Sequence, residues 1–261
     1  MFKIPINNIW SYLTDVITSF ASGVIFYTVI PLPAKWTNNW SRIARWCPLV
    51  GLVIGLILFL FVSTIKMRIP DLTCNALTVA VWVWVTGGLH LDGAMDTADG
   101  LSVTSPERRL EVMKDSATGA FGAIAAIIIL LLKTVTLSEM SLPLWLVLLS
   151  ATGWARWGQV CAIAFYPYLR ATGKGSFHQE NLRLPQDILL GLVVLLCFSG
   201  LWLTVDYLSW WQIGLIVGGN IAIALLTGYW FYRQLGGHTG DTYGAVVEWS
   251  EVLILCLLTA F

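Results

Sequence analysis

Residues 47–65 read CPLVGLVIGLILFLFVSTI, a run without one charged side chain. A bilayer's hydrocarbon core is about 30 Å thick, and a helix rising ~1.5 Å per residue needs about 20 apolar residues to cross it. This stretch meets that requirement almost to the residue, so the chain is read against lipid rather than water. Further apolar stretches lie near 16–32, 73–91, 118–137, 142–165, 187–205, 209–231 and 246–261. The first follows a short basic start and also suits a signal peptide or interfacial helix. The last is short and carries Glu248 and Glu251. The expectation is an all-α, polytopic helical bundle with six to eight spans.

Composition agrees. Of 261 residues, 57% are hydrophobic and 11% charged, far from the balance of soluble domains. No linker and no internal repeat divides the chain, which predicts a single membrane domain over 1–261. The five cysteines lie apart without metal-ligand spacing and read as small apolar residues. A formal net charge of zero argues against a general nucleic-acid surface. The spacings Gly51/Gly55 and Gly214/Gly218 predict close helix packing, and Trp36, Trp40, Trp46, Tyr166, Tyr168, Trp210, Trp211, Tyr229 and Trp230 suit interfacial belts.

Counted outward from 47–65, the loops 33–46, 92–117, 166–186 and 232–245 fall on one side. They hold ten of the fifteen Lys and Arg, against Lys3, Lys66, Arg68 and Lys133 on the other. The positive-inside rule places the richer side in the cytoplasm, which predicts a multi-pass membrane protein with its polar loops on the cytoplasmic face.

Chemistry concentrates on that side. In TGGLHLDGAMDTADGL (86–101) the carboxylates Asp92, Asp96 and Asp99 are spaced i, i+4, i+7, within about a 60° arc of one helical face. Such a row wants a cation. Asp92 and Asp99 would stand about 10 Å apart along the axis, too far to ligate one ion, so two ions or one ion and a base fit better. His90, roughly 200° from Asp92, faces away on a continuous helix.

Two further polar clusters follow. ERRLEVMKDS (107–116) brings Arg108, Arg109, Lys114 and Asp115 before a span that Ser116 is placed to cap. GGHTGDTYGAVVEWSE (236–251) joins a glycine-rich turn with His238, Thr239 and Asp241 to Glu248, seven residues on and on the same face. Arg156 lies inside a span, where an unpaired charge costs at least ~2.5 kcal/mol, so it requires a carboxylate or a substrate phosphate. Arg170 and Lys174 in PYLRATGKG add cations for anionic lipid or a phosphorylated substrate. Together these features suit metal-assisted phosphoryl transfer at a membrane face.

The chain resembles the cobalamin synthase family, adenosylcobinamide-GDP ribazoletransferases, almost end to end. The blocks are FASGVIFYTVIPLP (20–33), PLVGLVIG (48–55), GGLHLDGAMDTADGL (87–101), ERRLEVMKDS (107–116) with GAFG (119–122), WARWGQ (154–159), PYLRATGKG (167–175) and GGHTGDTYGAVVEWSE (236–251). Ala117 stands where that family's pattern would carry a basic residue, and GAMDTADG where GLADTADG is expected. The resemblance implies that a hydroxyl of α-ribazole, or of its 5′-phosphate, attacks the cobinamide-linked phosphate of adenosylcobinamide-GDP and releases GMP, with Mg²⁺ as cofactor. On that basis Asp92, Asp96, Asp99, Asp241 and Glu248 become metal ligands. One of the first three serves as base, Lys114 and Arg156 act on phosphate, and Arg108, Asp115, Arg170, Lys174, His238 and Thr239 contact substrate. The alternatives are a CDP-alcohol-type phosphotransferase, whose Ala-Arg pair residues 92–104 lack, and an ion-coupled transporter, which one-sided clustering disfavours. Oligomeric state stays open, a homo-oligomer included.

Overall fold

The computed structural model describes residues 6–170 and 174–261, and only the backbone of 6–11, 174 and 176. Lys3 and the side chain of Lys174 lie outside the described residues. Eleven α-helices, joined by short 3-10 turns and loops, make up the described chain: α1 (Ile6–Tyr27), α2 (Cys47–Ile65), α3 (Asp71–Val85), α4 (Leu89–Ser102), α5 (Pro106–Val112), α6 (Ala120–Ser138), α7 (Leu144–Phe165), α8 (Lys174–Asn181), α9 (Gln186–Ser199), α10 (Trp210–Leu235) and α11 (Gly240–Leu258). Among the described residues there is no β-strand, only an isolated bridge between Tyr168 and His238.

The fold is a helical membrane bundle. Four segments are long and apolar enough to cross a bilayer: Ile43–Ile65, Ala120–Ser138, Gln186–Thr204 and Trp210–Leu235. A fifth arises if α3 and α4 count as one broken span. This meets the expected six to eight only roughly. Among the described residues no such segment covers the expected span 16–32, where α1 ends at Tyr27. The expected spans 142–165 and 246–261 correspond to α7 and α11, which are too polar to qualify because neighbouring helices, not lipid, surround them. From Leu146 to Ile163 every residue of α7 except Leu149 is buried, and α7 packs chiefly on α2, α11 and α10. Enclosed helices can carry polar groups that a lipid-facing helix cannot.

Glycine permits that close packing on α2. A Cβ at Gly51 would stand 2.3 Å from the Thr152 carbonyl oxygen, and one at Gly55 2.7 Å from Thr152 Oγ1. Gly214 and Gly218 have no such neighbour within 4 Å, so the packing expected there is absent within the described chain. Trp46 is likewise buried rather than interfacial, with its Nε1 donating to Ser19 Oγ at 3.1 Å.

The decisive departure from sequence expectation lies at residues 86–88. The stretch 73–91 read as one continuous span, yet α3 stops at Val85 and α4 leaves at 89° to it. Gly87 and Gly88 sit at φ +62° and +69°, the left-handed region that L side chains rarely adopt. The bend turns α4 across α11 and α6. Gly93 lies against the backbone of Asp241, where a Cβ would meet its carbonyl oxygen at 2.6 Å, and Gly244 lies equally close to the backbone of His90. These two glycines let α4 and the start of α11 touch backbone to backbone.

Candidate active site

Beside the crossing of α4 and α11 lies a cavity of about 230 Å³, closed on its other sides by α1, α7, α8 and residues 168–170. Asp92, Asp241 and Arg170 line it together with His90, Gln159, Tyr243, Tyr27, Tyr168 and His178. Asp92 is exposed. Asp241 occupies the first turn of α11 and accepts from Arg170 Nη2 at 2.6 Å, the same nitrogen that reaches the Met113 carbonyl at 3.2 Å. Arg170 is held because 167–169 pairs with the turn before α11: His238 N donates to Pro167 O and Leu169 N to His238 O.

Asp96, one turn on from Asp92, is half-buried. Burial first, then the negative neighbours Asp92, Asp241 and Asp99, push its carboxyl up to about 6, with Arg170 pulling the other way. Burial also raises Asp241, against the pull of Arg170 and Thr239. Asp96 lies beyond the apolar stretch 73–91, on the polar helix after the 89° bend, and Asp241 ahead of 246–261, at the head of α11. Three carboxylates facing one arginine leave the cluster electrostatically short of positive charge, as a site for a cation should be.

The other residues singled out from sequence divide sharply. Both oxygens of Asp99 are engaged at 2.8 Å by the amides of Gly119 and Gly122, so Asp99 caps the first turn of α6. The cap expected from Ser116 is instead supplied from α4, and the helix begins at Ala120, just after Gly119. Asp99 thus stands apart from Asp92 and Asp96 in what it does, despite the shared register. His238 and Thr239 are fully buried and face inward. His238 Nδ1 pairs with Thr242 Oγ1 at 3.0 Å and its Nε2 with Gly228 O at 3.2 Å, while Thr239 caps α11 by accepting from Thr242 N. These two shape the turn that presents Asp241 rather than lining the cavity. Arg108, Lys114 and Asp115 are exposed on and just after α5, away from the cavity lining.

Glu248 and Arg156 belong to a second, sealed assembly. Lys133 Nζ, on α6, reaches Glu248 Oε2 at 2.7 Å and Glu251 Oε2 at 2.5 Å, and Arg156 Nη1 meets Glu251 Oε1 at 2.6 Å. All four residues are buried. A carboxylate thus stands beside Arg156, while its Nε and Nη2 find no partner among the described residues. Lys133, counted among the loop cations by sequence, lies inside the protein over the ring of Trp82 at 4.4 Å. Its removal from the outer tally strengthens the charge asymmetry of the loops.

Sequence reasoning set His90 facing away from Asp92. One continuous helix, α4, carries both, with His90 buried and Asp92 exposed, yet the cavity reaches far enough round it for both to line the space. Gln159, Tyr243, Tyr27 and His178 gave no signal in the sequence, since they come from four separate elements.

Among the described residues no three His, Cys, Asp or Glu side chains form a ready metal cage. The oxygen donors Asp92, Asp96 and Asp241 nonetheless suit a hard divalent ion that keeps several waters and takes its remaining ligands from a substrate phosphate.

Fold and site together define a polytopic helical membrane protein with a carboxylate-rimmed, arginine-braced cavity where two interior helices cross. A model of the cobalamin-5-phosphate synthase family matches residues 19–259. The chain belongs to that family. It is 55% identical over 247 residues to the adenosylcobinamide-GDP ribazoletransferase of Trichormus variabilis, covering 94% of this chain and 97% of the relative. It is 48% identical to that of Synechocystis sp., covering 91% and 92%, and 40% identical to that of Desulfitobacterium hafniense, covering 89% and 93%. No solved structure matches the chain.

Proposed function

We propose that this protein is an adenosylcobinamide-GDP ribazoletransferase acting at the membrane face formed by its basic loops. The observation that carries the reading is the convergence of Asp92, Asp241 and Arg170 on one cavity, drawn from three separate polar blocks of the chain. A hydroxyl of α-ribazole, or of its 5′-phosphate, attacks the cobinamide-linked phosphorus. A phosphorus–oxygen bond forms to the ribazole, the bond to the GMP oxygen breaks, and the hydroxyl proton passes to a carboxylate. Asp92, exposed at the cavity, is the residue placed to take it. Arg170 offers its guanidinium to the phosphate oxygens, and Asp241 orients Arg170 through their ion pair.

Mg²⁺, held by Asp92, Asp96 and Asp241 when bound, would neutralise phosphate charge. Support for a cation comes from the surplus of carboxylates around one arginine. The loops on this side carry most of the chain's Lys and Arg, which supports a cytoplasmic orientation in a bacterial inner membrane.

The test is direct. Full-length protein in nanodiscs, given adenosylcobinamide-GDP, α-ribazole and Mg²⁺, should release one GMP per adenosylcobalamin formed. Activity only with CDP-linked substrates, or vectorial uptake without GMP, would sink the reading. Asp96→Ala that purifies normally and turns over at an undiminished rate would sink the carboxylate role alone.

A further inference from the structure

Beyond its charged rim, the cavity has an interior that phosphate transfer does not account for. Its walls are aromatic: Tyr168 stacks on Tyr243 with centroids 6.1 Å apart, and Tyr27 lies parallel to His178 at 6.0 Å and to His90 at 6.3 Å. Its floor is polar and unsatisfied. His90, Gln159 and Tyr243 are 1%, 5% and 2% exposed. Yet both ring nitrogens of His90, Gln159 Oε1 and the Tyr243 hydroxyl find no hydrogen-bond partner among the described residues, and His178 Nδ1 is in the same condition. Buried polar side chains are nearly always paired, and groups left open in a cavity between stacked rings are what a polar aromatic ligand would satisfy.

A water takes about 30 Å³ of liquid, so one bridging molecule does not fill this space. The aromatic walls favour a flat ring, and donors and acceptors on the floor favour ring nitrogens or their substituents. From the floor the cavity opens past Asp92 and Asp241 to Arg170. A base seated here would carry its ribose and phosphate to the carboxylate rim.

We infer that the space floored by His90, Gln159 and Tyr243 is a binding subsite for the nitrogen-containing heteroaromatic base of a nucleotide substrate. The inference rests on the transferase reading and deepens it. Two substrates bring such a base, the guanine of adenosylcobinamide-GDP and the base of α-ribazole, and the experiment separates them.

Gln159→Leu removes the two polar atoms of the carboxamide and Tyr243→Phe the one hydroxyl, each with little change of volume. Each is assayed in nanodiscs with one substrate varied at a time, alongside equilibrium binding of GMP and of α-ribazole and a melting temperature. The expected result is about a ten-fold rise in KM for one substrate, a matching loss of affinity for its nucleotide or nucleoside, kcat within two-fold and an unlowered melting temperature. Weakening confined to α-ribazole assigns the subsite to the incoming base; weakening of adenosylcobinamide-GDP and GMP assigns it to guanine. Unchanged KM and binding in both variants would overturn the inference, leaving the cavity to water. A lowered melting temperature with both substrates affected alike would also overturn it, in favour of a packing role. Wild-type protein that binds one ligand in a variant-sensitive way but releases no GMP would refute the transferase reading and leave the subsite standing.

Discussion

Helix α11 contributes carboxylates to two assemblies that behave as opposites. Asp241, in its first turn, pairs with Arg170 and shares with Asp92 a cavity that reaches solvent, while Asp96 stands close enough to feel all three charges. Glu248 and Glu251, two and three turns deeper, close on Lys133 and Arg156. The deep cluster balances two cations against two anions at hydrogen-bonding distance and is sealed. The shallow one carries an excess of negative charge, and burial and repulsion lift the carboxyls of Asp96 and Asp241. A balanced, sealed cluster gives specific structure, whereas an unbalanced, accessible one calls for something from outside.

The largest effect should come from unbalancing the sealed cluster. Glu251→Ala leaves Arg156 and Lys133 short of an anion in a buried setting, and loss of one partner in such a pair costs about 3–5 kcal/mol. Thermal unfolding in detergent should drop sharply or the protein should fail to accumulate; normal melting would erase the distinction between the two regions. Asp92→Asn should do the reverse. With Asp92 exposed, melting should hold, while transfer falls by about 10²–10³-fold, roughly 3–4 kcal/mol in the transition state.

Gly93→Ala probes the contact that makes the shallow site. Its Cβ would press on the Asp241 carbonyl at 2.6 Å and shift Asp241 relative to Asp92. Turnover should fall by about 10²-fold, as misplacements near 1 Å can do, and a fully active variant would show that this alignment is not needed. Asp99→Ala should be milder, costing α6 about 1–2 kcal/mol as a lost cap, with residual transfer by the folded fraction. If it instead abolished transfer at unchanged stability, Asp99 would belong with the shallow site.

The smallest effect is a shift along the pH axis. With its carboxyl pushed up to about 6, Asp96 is ionised above that value and becomes neutral as pH falls through it. At limiting Mg²⁺, kcat/KM should therefore decline on the acid side near pH 6. Excess Mg²⁺ should move that decline to lower pH, because metal and proton compete for the same oxygens. A rate flat down to pH 5 at limiting Mg²⁺ would break this part of the comparison.

Much of the site was legible because the residue types are costly where they stand. Asp92, Asp96 and Asp241 advertised themselves by charge next to apolar spans, and Arg156 by its need for an anion. The periodicity that grouped Asp99 with Asp92 and Asp96 is local, however, and cannot register that the amides of Gly119 and Gly122 arrive from the next helix to claim it. Equal spacing of Asp241 and Glu248 likewise put them on one face without revealing that Lys133 waits for the second alone. His90 was set aside for standing about 200° from Asp92, an angle that holds along α4 but cannot register how far round the helix the cavity reaches.

Sequence by itself determined the solvent, the helical class and the side of the chain on which polar chemistry collects, because apolar length and charge distribution are additive properties of local segments. Only the tertiary structure decided which charges are spent on each other and which stay available. Pairing depends on distance and enclosure, and both arise from a bend at two glycines and a backbone contact at two more, Gly93 and Gly244.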